Sequence, residues 1–495
     1  MSIDKKINLK KLTLNIFILF HLLFFISILL VDGYPQNNDI LHIFKITSLD
    51  GKLKFINGVY NPGYAYYSLI FSNSLTALTT VIFFLIIFSI FLIFKFINLF
   101  SLNESKNERL FLYIFSILFH FIIISTIGLN HSDCLFLLLF YNGFLLFIYS
   151  YYFKYNKFLY ITGLLIIGIS ILFRHHGILA IFLLYINFIF YEFFFYKKKK
   201  FNLIYKDFII IGLVLLIPMI ISQIHLVLIN ANTEWQTSLK LNYFVYGHTW
   251  GDWRDIKNIL NSEQYKNFNI LYVDRNHLLN IVLDHVKKVL TVTYPFIITF
   301  IIAFIISRKK SVIILLILFI LYLLIILPGY GRGYYPAILF CLISTLICYK
   351  DFAKNKIASY LIFVFLFGHL VYLIERYTEK VIQNYYTNKD IKENVVPILK
   401  DKNFKYKNIF SDDYSFYTNK LEGDQHKLCN WGGWLLVHPY FKNYYPRDVI
   451  LGKKNDYCDV GALVTKDKIL ADKYYISQHY KFRYKTKQHY ILTSR

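Results

Sequence analysis

The stretch Thr76–Phe94, TALTTVIFFLIIFSIFLIF, contains no Asp, Glu, Lys or Arg over 19 residues. An apolar segment of about 18 or more residues is long enough to cross the hydrocarbon layer of a bilayer as a helix. A helix on the surface of a soluble protein needs only one apolar stripe. A block that is apolar on every side therefore predicts a transmembrane helix.

The same pattern recurs along the chain. Thr13–Val31 and Phe208–Leu228 also lack charged residues, 56% of all residues are hydrophobic and the mean hydropathy is +0.45. The sequence thus predicts an all-α polytopic membrane bundle of about eleven transmembrane helices. We place them at residues 12–31, 78–100, 110–130, 134–152, 158–173, 177–195, 208–229, 291–307, 311–328, 335–349 and 357–375.

Lysine and arginine are distributed unevenly between the predicted spans. Asp32-Gly33-Tyr34-Pro35, after the first span, is not a small-residue cleavage site, so we interpret that span as a retained anchor. With the N-terminus in the cytoplasm, the basic clusters fall on the cytoplasmic side, as the positive-inside rule requires. These clusters contain Lys106 and Arg109; Lys154 and Lys157; 197–200; 308–310; and Lys350, Lys354 and Lys356.

The predicted topology leaves three long segments outside, at 32–77, 231–290 and from about 377. The strand-like runs Val460–Thr465 and Tyr490–Thr493 predict a small extracytoplasmic α+β domain at 377–495, after a membrane domain at 1–376. Much of the net charge of +24 lies in the short clusters, so it indicates membrane topology and not nucleic-acid binding. The predicted location is a bacterial inner (plasma) membrane, or the ER membrane in a eukaryote.

Polar residues collect at the predicted outer surface, whereas the span interiors are nearly free of ionisable groups. A proton- or ion-coupled transporter would place charged residues or broken helices near the midplane. The pattern therefore favours chemistry at one membrane face. The outer residues, from four separate turns, are Asp32, Asp39, His42, His131, Asp133, Arg174, His175, His176 and Arg332.

Five short segments with a shared character of outer-turn polar or aromatic residues occur in order over roughly residues 12–350. They are Asp32-Gly33-Tyr34-Pro35-Gln36-Asn37-Asn38-Asp39, Tyr60-Asn61-Pro62-Gly63-Tyr64-Ala65-Tyr66-Tyr67, Asn130-His131-Ser132-Asp133, Phe173-Arg174-His175-His176-Gly177 and Pro328-Gly329-Tyr330-Gly331-Arg332-Gly333-Tyr334-Tyr335-Pro336. The ordered set resembles the GT-C superfamily of membrane glycosyltransferases, close to its protein O-mannosyltransferase and lipid-A aminoarabinose transferase branch. In place of that family's adjacent acidic pair, Asp32 and Asp39 stand apart.

The resemblance implies transfer of a sugar, with inversion, from a polyprenyl-phosphate donor to a hydroxyl of a glycan, lipid or protein acceptor. A carboxylate must accept the proton of the attacking hydroxyl, and a cation must stabilise the leaving phosphate. We expect Asp39, which follows a potential helix-capping Asn38, to be the base, with Asp32 as the alternative. Arg332 and Arg174 are the expected phosphate ligands, against simple headgroup snorkelling. The further expected substrate contacts are Tyr64, His42, His131, Asp133, His175 and His176.

Other functions and features stay open at the level of sequence. The alternatives are a lipid-linked glycan polymerase, ligase or flippase, and a non-catalytic scaffold or transporter. No cofactor is expected; a divalent metal at the outer histidines and Asp133 is possible, but their spacing is no recognised signature. Cys429 and Cys458, in a tail expected to face an oxidising compartment, could form a disulfide.

Overall fold

A computed structural model defines the fold for part of the chain. It describes residues 75–100, 105–129, 134–153, 156–174, 201–228, 262–308, 310–326, 348–400, 408–411, 427–430, 462–466 and 482–493, with a few isolated positions that include Gly63. The described part is mostly helical and carries one small sheet.

Long helices account for most of the described residues up to 400. Asn156 and Asn355 cap two of them by accepting hydrogen bonds from backbone N–H groups of the first turn, at 3.1 Å each. The helices are α1 (Leu75–Phe100), α2 (Lys106–Leu129), α3 (Cys134–Ile148, extended by a π-helical turn at Tyr149–Phe153), α4 (Lys157–Ile171), α5 (Phe201–Leu228), α6 (Arg275–Ser307), α7 (Lys310–Ile326), α8 (Lys356–Asp390) and, after a π-helical turn at Ile391–Val395, α9 (Val396–Lys400).

Two or three of the described helices are long and apolar enough to cross a membrane. Among the described residues two pass by length and composition, Asn107–Thr126 and Lys356–Leu399, and a third passes if the bent pair in α6 is one span. Shorter apolar helices occupy Thr80–Ile93, Leu135–Tyr151, Lys157–Ile171, Ile209–Ile221 and Val312–Leu324. Predicted spans 12–31, 177–195 and 335–349 lie almost wholly outside the described residues, so the total of eleven remains a prediction.

Glycines bring α3 and α4 into close backbone contact. A Cβ atom added to Gly143 would lie 2.7 Å from the carbonyl oxygen of Gly163, and one added to Gly163 would lie 2.7 Å from the backbone nitrogen of Phe147. On the other side of α4, a Cβ at Gly168 would lie 2.8 Å from the ring of Pro218 in α5. Small residues at contacts of this kind allow helices to approach closely where lipid removes the hydrophobic drive for association.

Aromatic side chains fill the contact between α2 and α8. The ring of Phe111 lies 5.3 Å from the ring of Phe363 in α8 and 5.6 Å from that of Phe352, four residues before α8 begins, both within the range of favourable ring pairs. Phe115 and Phe119 extend the stack along α2. These helices therefore join through one continuous core with α1, α3 and α4.

The predicted α+β tail is present as a five-stranded mixed sheet. Its strands are β1 (Asn408–Ser411), β2 (Lys427–Asn430), β3 (Ala462–Thr465), β4 (Phe482–Lys485) and β5 (Tyr490–Thr493), in the order β2-β1-β3-β5-β4. The first two neighbouring pairs are parallel and the last two antiparallel. β3 and β5 confirm the strands expected near 460–465 and 490–493. The helix α8 continues through residue 376, where the sequence places the domain boundary.

Candidate functional site at one end of the α3–α4 hairpin

The glycine contact fixes the register of the α3–α4 hairpin. Gly143 lies nine residues after the start of α3, and its neighbour Gly163 lies eight residues before the end of α4. At a rise of about 1.5 Å per residue, both helix ends lie about 13 Å from the contact. Cys134, which follows Asp133 in the sequence, is therefore level with the end of α4, which leads to Arg174.

Gly63, from the predicted outer segment 32–77, contacts the same end of the hairpin. Its backbone N–H donates a hydrogen bond to the carbonyl oxygen of Leu172 at 2.8 Å. The last carbonyl groups of a helix lack hydrogen-bond donors within the helix, and Gly63 supplies one donor here. A Cβ on Gly63 would lie 2.7 Å from that oxygen and 3.1 Å from the ring of Phe173, so only glycine allows this approach. The contact brings together two of the five segments that resemble the glycosyltransferase family, the one around Gly63 and the one that begins at Phe173.

Arg174 ends the helical turn that follows α4. Its backbone N–H donates to the carbonyl oxygen of Ile171 at 3.1 Å, and the residue is only 5% exposed. A snorkelling arginine would extend into the headgroup layer, whereas Arg174 is enclosed by protein. Burial of a guanidinium group costs free energy unless hydrogen-bond acceptors surround it. Arg174 therefore lies inside the protein, and its role as a phosphate ligand remains a prediction.

Most of the predicted site lies outside the described residues, and its geometry stays a prediction. Arg174 is described and lies at the hairpin end. The predicted site residues that lie outside the described part are Asp32, Asp39, His42, Tyr64, His131, Asp133, His175, His176 and Arg332.

Sequence reasoning quoted Gly63 without assigning it a role. The signal was present as a glycine next to Pro62 in an otherwise aromatic segment, a residue pair that marks a turn or a close backbone approach. His369 of α8 was also passed over. It is 1% exposed and packs among the rings of Phe296, Tyr294 and Tyr372, with centroid distances of 5.5–6.2 Å.

The helix interiors carry uncharged polar groups in the described part of the chain. Asn142 of α3 donates to the carbonyl oxygen of Leu85 in α1 at 2.9 Å, and Tyr141 lies 3.5 Å from His120 of α2. These contacts link neighbouring helices. Asp, Glu, Lys and Arg occur in the described helices near their ends, in the first half of α6 (Asp284, Lys287 and Lys288) and in the α8 extension from Glu375 onward.

A second buried polar cluster joins α8 to the sheet of the tail. The carboxylate of Asp390 is 1% exposed, and the turn between β4 and β5 closes over it. Because a carboxylate only accepts hydrogen bonds, His489 donates through Nδ1. The donors are Thr486 Oγ1 at 2.6 Å, Asn394 Nδ2 at 2.7 Å, His489 Nδ1 at 2.8 Å, Gln488 N at 3.0 Å and Lys487 N at 3.2 Å.

The hydrogen bonds keep Asp390 ionised. Burial raises the pKa of its carboxyl, but the hydrogen bonds outweigh burial, so the pKa lies below its ordinary value of 3.8. Beside the cluster, Ile391, Val395 and Leu399 pack against Val464 and Ile491 of the sheet. The polar cluster and this small core fix the orientation of the tail relative to α8, and their arrangement indicates a structural junction.

Two further observations bear on function. Within the described ranges, no three His, Cys, Asp or Glu side chains lie close enough together to hold a metal ion. Cys429 lies in β2, while Cys458 is outside the described residues, so their disulfide remains a prediction.

Comparison of the chain with protein-family models, with curated proteins and with solved structures finds no match in any of the three.

Proposed function

We propose that the chain is an integral membrane glycosyltransferase, which transfers a sugar from a polyprenyl-phosphate donor to an acceptor hydroxyl at the extracytoplasmic face. The observation that carries the proposal is the 2.8 Å hydrogen bond from Gly63 to Leu172. It joins the first long loop, which also carries Asp32 and Asp39, to the helix end that leads to Arg174. A base and a phosphate ligand must meet at one place in such an enzyme, and this contact supports that convergence.

The electrostatics of the hairpin end support binding of a phosphate. The N-terminus of α3 is level with Arg174, and a helix N-terminus presents free backbone N–H groups and a partial positive charge. A guanidinium nearby adds a full charge with two parallel donors for phosphate oxygens. We assign Arg174 and the predicted ligand Arg332 to the leaving polyprenyl phosphate.

In the proposed reaction, the acceptor oxygen attacks the anomeric carbon while the bond from that carbon to the phosphate oxygen breaks. Asp39, with Asp32 as the alternative, accepts the hydroxyl proton. The polyprenyl phosphate leaves with the bonding electron pair and is stabilised by the arginines. The new glycosidic bond has inverted configuration. The uncharged span interiors in the described helices favour this surface reaction over ion-coupled transport.

The test is a transfer assay in membranes supplied with radiolabelled polyprenyl-phosphate hexoses and pentoses. Asp39→Asn keeps the shape of the side chain and removes the proton acceptor, so transfer should fall by about 100-fold or more while donor binding is retained. Arg332→Ala should weaken donor use as well as rate, because its contact to phosphate exists before and during the reaction.

Matched controls separate the base from other acids of the outer segments. Asp274 caps α6 by accepting a hydrogen bond from the backbone N–H of Asn276 at 2.9 Å. Asp274→Asn preserves a capping oxygen and should leave transfer unchanged. If Asp32→Asn abolishes transfer and Asp39→Asn does not, Asp32 is the base. If both asparagine variants transfer sugar at the original rate, the proposal is wrong.

A further inference from the structure

Helix α6 contains a sharp bend whose cause is local. Arg275–Thr291 and Thr293–Ser307 meet at an angle of 75°. Pro295 lies in the first turn after the bend, and a proline ring clashes with the carbonyl group four residues earlier, here that of Thr291. Relief of this clash opens the helix on the side of the proline, so α6 curves away from that side.

The length of the second segment places the bend near a membrane surface. Thr293–Ser307 has 15 residues and spans about 22 Å, less than the hydrocarbon thickness of about 30 Å. It ends at Arg308, next to the predicted cytoplasmic cluster 308–310. The opposite end of this segment therefore lies within about 8 Å of the outer boundary of the hydrocarbon, and at 75° to it Arg275–Thr291 runs nearly parallel to the surface.

The surface-parallel segment, Arg275–Thr291, has three distinct faces. Ile281, His285 and Val289 recur at a spacing of four residues and are buried against the protein. A second face is polar and exposed, with Asn276, Asn280, Lys287 and Thr291. The third face is apolar and exposed: Leu279, Leu283 and Leu290 are 53%, 55% and 47% exposed. We call these three leucines the leucine stripe.

The direction of the bend identifies what the leucine stripe faces. At about 100° per residue, the stripe lies roughly 120–160° around the helix from Pro295. It therefore lies on the inner side of the bend, the side toward which Thr293–Ser307 descends. Leu271 and Tyr272, just before α6, add apolar surface at 77% and 87% exposure. An amphipathic helix with this arrangement suits the boundary between headgroups and acyl chains.

We propose that Arg275–Thr291 is an interfacial helix that inserts the leucine stripe into the outer leaflet of the lipid bilayer, with its polar face in water. This inference requires that the chain lies in a bilayer, and it is independent of sugar transfer. Lys287 is exposed and borders the stripe on the polar face.

The experiment uses the full chain with an environment-sensitive fluorescent amino acid at one position, in vesicles of phosphatidylcholine and phosphatidylglycerol. Leu279 and Asn280 are neighbours, both exposed, and differ mainly in the face they occupy; Leu290 and Thr291 form a second pair. Nitroxide-bearing lipids should quench the fluorescence of a label at position 279 or 290 more strongly than aqueous iodide does. Positions 280 and 291 should show the reverse order.

Two results would overturn the proposal. Equal quenching by iodide at all four positions would place the leucine stripe in water. Protection of positions 279 and 290 from both quenchers would show that protein, such as a second copy of the chain, covers the stripe. The two pairs are independent, so either pair decides the question if a label at the other prevents folding.

Discussion

The α3–α4 hairpin and the junction of α8 with the tail hold their elements together by opposite means. In the hairpin, Gly143 and Gly163 let two backbones touch, with apolar side chains around them. At the tail junction, the buried carboxylate of Asp390 accepts five hydrogen bonds from its own π-helical turn and the β4–β5 turn. Close packing suits a lipid-facing bundle, whereas a buried ionised group requires a fully satisfied polar shell.

The largest expected effect is at the tail junction. Asp390→Ala removes the shared acceptor and leaves buried donors unpaired, which should destabilise the tail by about 3 kcal/mol or more. Urea unfolding followed by limited proteolysis of the tail measures this change. Glu393→Ala is the matched control, because that carboxylate is 54% exposed and its contact to Lys389 spans 3.9 Å. Equal stability of the two variants would show that the Asp390 cluster does not hold the tail.

The next effect concerns the hairpin. Gly163→Ala should destabilise the helical part by about 1–3 kcal/mol, because the new methyl group forces α3 and α4 apart. Gly368→Ala in α8 is the control, since a Cβ there meets nothing within 4 Å. Thermal unfolding in detergent should separate the two variants. A Gly163→Ala protein as stable as Gly368→Ala would contradict the close backbone contact.

A pH series distinguishes the two regions further, because the tail junction contains the ionised carboxylate of Asp390 whereas the glycine contact of the hairpin contains no charged group. Its pKa is lower in the folded tail than in the unfolded chain, so the unfolded state binds the proton first as the pH falls. Stability from Asp390 is therefore present above pH 3.8 and is lost as the pH falls through the folded pKa. The loss should not exceed about 1.4 kcal/mol per pH unit.

The difference in unfolding free energy between the original chain and Asp390→Asn isolates this contribution from other carboxylates. It should be constant from pH 7 to about 5 and shrink below the ordinary pKa. A difference that grows on acidification would contradict the depressed pKa.

The smallest expected effect lies at the end of α6. Arg308 has a φ of 47°, a left-handed conformation that glycine adopts without a steric cost. Arg308→Gly should stabilise the helical part by about 0.5 kcal/mol, after the greater entropy of the unfolded glycine is included. Arg308→Ala removes the same charge and keeps the Cβ atom, so it should give no gain in thermal unfolding. An equal gain in both variants would assign the effect to charge.

Apolar helices and two tail strands could be predicted because their signals are local. Apolar runs longer than a bilayer and the runs near Val464 and Ile491 need no knowledge of distant residues. The Asp390 cluster could not be predicted, since its members lie as much as 99 residues apart. Of the candidate site, Arg174 was predicted from its neighbours in the sequence and stays a prediction, whereas the contact of Gly63 depends on Leu172, more than a hundred residues away. Pro295 is a local signal for the bend of α6. A proline within a membrane helix does not by itself show that the helix bends, however, because such helices tolerate proline.

The central claim is that the chain crosses a membrane and keeps its proposed site on the outer side, and helix α8 offers the most direct measurement. Lys354 precedes α8 and Glu379 lies about 35 Å farther along it, and both residues are exposed. Single cysteines are introduced at these positions in a chain whose five native cysteines, Cys134, Cys341, Cys348, Cys429 and Cys458, are replaced by serine. Intact cells are then treated with a membrane-impermeant maleimide. The account predicts that position 379 is labelled and that position 354 is labelled only after permeabilisation. Labelling of both positions in sealed cells, or of 354 alone, would contradict it.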